Sequence, residues 1–270
     1  MKLHVVPART GLSWVRLGVR TFMRQPLALG GLFFLFMAVV SLLSALPLIG
    51  PALALVLVPG ATLGLMAASR EADAGRFPMP AILISAFRAD PQRRNAMLVL
   101  GGAYTAALLL LMVLAVLSGS DSGTQVPPAA GEEVTPEALR AALAAGDIWW
   151  LFLLYLPVMA AFWHAPALVH WHGVSPVKAV FFSLMACWTN KAAMLLYMVG
   201  WTGLFAGAGL LLSLLGSLLG SATVLQAVLY PLVLLMAAMF HTSIWFTFRD
   251  SFIDDDDDPA PLRPGANDPA

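Results

Sequence analysis

An all-α, polytopic transmembrane helical bundle of six spans is the fold this sequence predicts, and three observations predict it. Hydrophobic residues make up 60% of the chain and charged residues 11%, with a mean hydropathy of +0.82; soluble domains carry roughly twice that charge. Charge-free apolar runs recur, starting with LALGGLFFLFMAVVSLLSAL at 27–46. Each is long enough to cross a hydrocarbon core of about 30 Å as a helix. Basic residues gather in the segments that six such spans would place on one side.

The chain begins with a basic amphipathic stretch. Arg16, Arg20 and Arg24, spaced four apart, share one stripe of a helix over Thr10 to Gln25, while Leu12, Val15, Val19 and Phe22 share another. Such a helix suits the membrane interface, and its arginines also serve as positive-inside flanks. This basic leader is too long for a cleavable signal, so the first span reads as a retained anchor. Pro26 opens that span (27–46) at a position where its missing N–H costs little. Pro47, Gly50 and Pro51 make an uncharged turn. The second span (52–68) carries Pro59 and Gly60 in its interior.

A polar loop from Arg70 to Arg94 follows, with Pro80 to Ala89 (PAILISAFRA) as a second short helix. The third span covers 95–117. An outer loop, 118–147, is Gly/Ser/Pro-rich at first, then has Thr135 and Pro136 as a helix start. The fourth span (149–169) opens on Trp149 and Trp150, as an aromatic belt does, and contains Pro157 and Pro166. Trp171 lies just beyond it, at the other interface. A short apolar helix at Val177 to Trp188, the fifth span (192–215) and the sixth (224–248, with Pro231 inside) complete a membrane domain over 1–253. The tail, 254–270, starts with five aspartates, lacks aromatic and β-branched residues, and reads as disordered.

With six spans and a cytoplasmic N-terminus, 14 of the 15 Lys and Arg fall on the cytoplasmic side, Arg140 being the exception. Both termini are then expected in the cytoplasm.

The chain also resembles itself at an offset of 98 residues. Pro59 meets Pro157, Ala67 meets Ala165, Gly75 meets Gly173, Pro78 meets Pro176, Ala81 meets Ala179 and Ser85 meets Ser183. Only about two or three such matches are expected from average residue usage over this length. The expectation is a three-fold parallel internal repeat, each unit one short helix and two spans, related by an axis along the membrane normal.

Candidate chemistry is sparse. Spans one, two, three and five contain no Asp, Glu, Lys, Arg or His in their interiors, and spans four and six contain one histidine each, His164 and His241. Ion-coupled carriers place ionisable groups at mid-membrane, so a proton-driven mechanism is disfavoured. His164, His170, His172 and His241 are the only metal-ligand candidates, yet no carboxylate or cysteine joins them at ligand spacing, and interfacial polar histidines account for them. Cys187 is alone and cannot form an intrachain disulfide. Gly203 and Gly207 have the four-residue spacing that lets helix backbones approach, read as packing within the bundle or between two copies. Pro59, Pro157 and Pro231 are read as kinks. No Ser–His–acid set, HExxH, phosphate loop or Cys pair is present. No cofactor is expected, and no nucleic-acid partner.

The opening MKLHVVPARTGLSWVRLGVRTFMRQPLALGGLFF and the later HAPALVHWHGVSPVKAVFFSLMACWTNKAAML resemble a family of uncharacterised bacterial multi-pass inner-membrane proteins. More distantly, the second stretch is similar to the membrane domain attached to some glycerophosphodiester phosphodiesterases. The shared pattern is Pro and Gly at a span exit, a short helix with Ser183, then Asn190. The resemblance implies a bacterial inner-membrane location and a helical bundle, with no activity to transfer; no phosphodiesterase domain is present. The reading is a non-enzymatic scaffold that interacts with membrane lipid or a membrane-protein partner, with homo-oligomerisation left open. The alternative is a carrier for lipid or an apolar solute that is not proton-coupled.

Overall fold

The computed structural model describes residues 1–117, 147–219 and 222–253. The predicted loop before Asp147, with its Thr135–Pro136 helix start, and the acidic tail lie outside the described residues. The short strand β1 (Lys2–Leu3) leads into α1 (Thr10–Arg24), α2 (Pro26–Ser44) and α3 (Gly50–Asp73). A 3-10 helix (Pro80–Phe87) precedes α4 (Pro91–Leu117). Then come α5 (Asp147–Trp163), α6 (Ala165–His172), α7 (Pro176–Thr189), α8 (Lys191–Leu219), α9 (Ala222–Ser251) and the strand β2 (Phe252–Ile253).

Among the described residues six helical stretches are long and apolar enough to cross a membrane: Pro26–Ser44, Gly50–Asp73, Pro91–Leu117, Trp150–His172, Lys191–Leu218 and Ala227–Ser251. Their outer surfaces expose large apolar side chains in rows, such as Leu109, Leu110, Met112 and Val116 on α4 and Leu210, Leu211, Leu214 and Leu218 on α8. Apolar area on that scale is stable only against lipid or another apolar surface.

The architecture repeats. Short helix, span, span occurs three times: α1 with α2 and α3; the 3-10 helix with α4 and α5–α6; α7 with α8 and α9. Each short helix packs on the spans of the preceding unit, in a cycle. The 3-10 helix packs chiefly on α3, α7 on α5 and α6, and α1 closes the ring on α8 and α9. The second spans meet inside, α3 touching both α6 and α9. The glycines matched by the 98-residue offset share a conformation: Gly75 has φ +77° and Gly173 φ +63°. Each ends its span in the left-handed region that a side chain disfavours.

The ring is sealed where β1 meets β2. Lys2 and Leu3 pair antiparallel with Ile253 and Phe252. Asn190, between α7 and α8, accepts from the Val6 N–H (2.9 Å) and donates to the His4 carbonyl (3.0 Å) and the Ser251 hydroxyl (3.3 Å).

Close approaches fall on glycines. A Cβ at Gly11 would strike the Ala193 carbonyl oxygen, one at Gly18 the Ser243 side chain, and one at Gly101 the Val56 carbonyl oxygen. Gly60 and Gly64 seat Phe87 and Leu83 of the 3-10 helix. Gly203 and Gly207 do not serve packing within this bundle: a Cβ at either would project into open space, because α8 turns those positions away from its neighbours in the chain.

Candidate functional site

The predicted arginine stripe of α1, Arg16, Arg20 and Arg24, faces outward, and the opposite face docks on the bundle. That buried face is Gly11, Trp14, Val15, Gly18, Thr21 and Phe22. Leu12, assigned to the apolar stripe, is half exposed, since the glycines rather than the leucine mark the side of closest approach. The Trp14 indole N–H donates to Asp250 Oδ2 at 2.8 Å.

The fourth span is broken at His164. Pro166 opens α6 and removes a backbone donor there. His164 is fully buried and its Nε2 lies 3.1 Å from Thr247 Oγ1. The same hydroxyl accepts from the Trp163 indole N–H (3.0 Å) and donates to the Ile244 carbonyl (2.8 Å). One turn earlier, Ser243 does equivalent work: it donates to the Phe240 carbonyl and meets the Tyr197 hydroxyl at 2.7 Å and the Trp201 indole N–H at 3.2 Å. Two hydroxyls on α9 thus satisfy the buried polar edges of four rings without any charge.

The candidate metal ligands are not brought together. His164 approaches Cys187 (4.0 Å), His241 packs among Phe33, Phe36 and Phe240, and His170 and His172 flank Trp171. Among the described residues no three His, Cys, Asp or Glu form a group that could hold a metal. Burial pushes the Cys187 thiol up to about 12, so it stays a thiol near neutral pH. Helices α3, α5 and α9 run through Pro59, Pro157 and Pro231 without ending. Trp150 is half buried, and the Trp149 side chain lies outside the described ones.

Two cavities stand out. The first, about 710 Å³, is an apolar groove between α5, α7 and α8, with Pro157, Ala160, Leu184, Met194 and Met198 in its walls. Its lining includes the exposed Leu153, Trp188 and Leu195, so it opens on the outer surface. Lys191 is its one charged lining residue, with the ammonium 4.9 Å from the Trp188 ring centre.

The second cavity, about 590 Å³, is polar and aromatic. It lies where the ends of the three second spans converge: Arg70 from α3, Trp171 and His172 from α6, and Trp245, Phe248 and Arg249 from α9. Trp171 and Trp245 stand nearly perpendicular (84°) with centroids 5.4 Å apart. The Arg70 guanidinium carbon sits 5.5 Å and 5.6 Å from their rings. Arg249 is tied to Asp73 (3.4 Å) and Asp250 (2.8 Å). Beside the cavity, the Glu71 carboxylate hydrogen-bonds Arg76 and holds its guanidinium above the ordinary value. Sequence reasoning placed Arg70 in a loop and Trp171 at an interface. The available signal was that Arg70, Trp171 and Trp245 sit at the exits of repeat-equivalent spans.

No family model matches the chain, and no solved structure matches it. Among curated proteins it is similar to one of Burkholderia thailandensis named as a probable inner membrane protein, at 38% identity over 262 residues, covering 93% of this chain and 94% of that one.

Proposed function

The chain belongs to the family of that Burkholderia thailandensis inner-membrane protein, and from this premise we propose that it is a non-enzymatic membrane scaffold that holds lipid in the groove between α5, α7 and α8. The groove is the observation that carries the reading. Its volume suits a small-molecule or acyl-chain ligand, its walls are apolar along the membrane depth, and Lys191 stands at one end to meet a headgroup. The flexible methionines Met159, Met185, Met194 and Met198 suit a variable apolar guest. The paired segments Lys2–Leu3 and Phe252–Ile253 lie at the end of the bundle rich in Lys and Arg, which supports a cytoplasmic orientation for them.

Native mass spectrometry of protein extracted with its surrounding lipid tests this. Retained phospholipid is expected on the unaltered chain, with clear loss in Leu184→Trp, where a larger ring fills the groove. Equal retention in both would overturn the assignment of the groove.

A second reading, a lipid carrier, is favoured by Pro157 in the groove wall and the break at His164, since discontinuous helices can flank transported ligands. Reconstituted vesicles carrying fluorescent phospholipid separate the two. A carrier accelerates movement between leaflets, whereas a scaffold does not.

A further inference from the structure

We propose that the cavity at the convergence of α3, α6 and α9 is a receptor for a phosphate group, with Arg70 as its principal donor. This site is separate from the lipid groove and does not depend on it.

Arg70 differs from the other arginines around the cavity. Arg249 is committed to Asp73 and Asp250, and Arg76 to Glu71; Arg93 binds Asp90 and the His170 carbonyl. Arg70 makes no hydrogen bond or ion pair among the described residues. It is held instead by the corner of the two indoles. Stacking fixes the plane of a guanidinium while leaving its five N–H donors unused. A planar fork so oriented matches two oxygens of a phosphate.

Trp245 stands in the same wall. The Trp245 ring is only 9% exposed, and its indole N–H is buried without an acceptor. Buried donors are normally paired, and this one belongs to the ring against which Arg70 rests. The lining comes from all three repeat units, and no carboxylate is among the lining residues. The tryptophans mark headgroup depth, so the phosphate is either that of an anionic lipid or that of a soluble phosphorylated compound. Ile253 lines the cavity and five aspartates follow it in the sequence, so the test includes a form without them.

The test uses purified full-length chain and a second form ending at Ile253. Each is titrated with inorganic phosphate in detergent and, separately, reconstituted in nanodiscs of phosphatidylglycerol or phosphatidylcholine, with bound probe measured. Arg70-dependent binding of inorganic phosphate identifies a soluble ligand. Arg70-dependent retention of phosphatidylglycerol alone identifies a lipid headgroup. Binding confined to the shortened form identifies the aspartates as the resident competitor, and each of these results supports the site. Arg70→Gln is expected to weaken binding about tenfold to a hundredfold, the usual cost of a charge-assisted pair. Trp245→Phe, which deletes only the N–H, is expected to weaken it less, and Arg24→Gln on the outer face of α1 not at all. Binding by neither form, or equal losses in Arg70→Gln and Arg24→Gln, would overturn the proposal.

Discussion

The Ser183 hydroxyl stands inside the backbone ladder of the fourth span at His164. It accepts from the His164 N–H at 2.9 Å and donates to the Ala160 carbonyl at 2.7 Å. Those two groups, four residues apart, would bond each other in an uninterrupted helix. Pro166 opens the helix there, and a side chain from the next unit closes the gap. The repeat supplies an internal comparison. Ser85 is the equivalent of Ser183, but its hydroxyl is buried without a partner. The position equivalent to Pro166 is Ala68, inside the unbroken α3. An intact ladder has no gap for a serine to bridge.

Ser183→Ala is therefore expected to destabilise the bundle by about 1–3 kcal/mol, the cost of leaving buried polar groups unpaired. Ser85→Ala should be close to neutral. Thermal unfolding in detergent compares them. A double-mutant cycle with Pro166→Ala sharpens the test: once the ladder can close on itself, Ser183→Ala should cost clearly less.

Glycine spacing gives the second prediction. Gly18→Ala places a methyl against Ser243 and must push α1 off α9, an overpacking cost of about 1–3 kcal/mol. Gly203→Ala meets open space and should be neutral or stabilising by up to about 1 kcal/mol, because Ala is the better helix former. Unfolding midpoints of the two variants should move in opposite directions, or Gly203→Ala should stay fixed.

Much of the bundle was legible in the sequence because charge-free runs of that length have one stable solvent. The repeat was legible through Gly75 and Gly173, where backbone geometry restricts the residue type. Contacts were less so. A four-residue spacing of small residues shows that a helix can be approached closely, not what approaches it: Gly60 and Gly64 carry a neighbour, and Gly203 and Gly207 do not. The family pattern pointed to Ser183 and Asn190 without their tasks, since those depend on partners 19 to 186 residues away. The Arg70 corner was hidden for the same reason. Its two tryptophans come from different units and meet only when the three-fold packing closes.

Asn190 carries the third prediction. Its side chain satisfies groups in the N-terminal segment and on Ser251. Asn190→Ala removes all three bonds at once while leaving the spans intact. Hydrogen exchange at residues 3–6 and 251–253 should accelerate markedly, with little change within α2 and α3. Uniform acceleration across the bundle would mean that Asn190 supports the whole fold rather than the seam.

Orientation carries the last prediction. β1 and β2 pair, so the N-terminus and residue 253 must lie on one side of the membrane. Which side follows from charge. Of the 15 Lys and Arg, only Arg140 and Arg263 fall outside the described residues, and the remaining 13 sit in the N-terminal segment, in connections at that same end, or at helix ends there. Cytoplasmic retention of such clusters is the basis for the proposal that both termini lie inside. An export-dependent phosphatase fused after Asn267 should be inactive, and one inserted after Gly131 active. Replacing Arg16, Arg20 and Arg24 together with glutamine leaves ten of the 13 in place, so topology should persist while insertion efficiency falls. A reversal in that triple variant would show that the leader alone sets orientation.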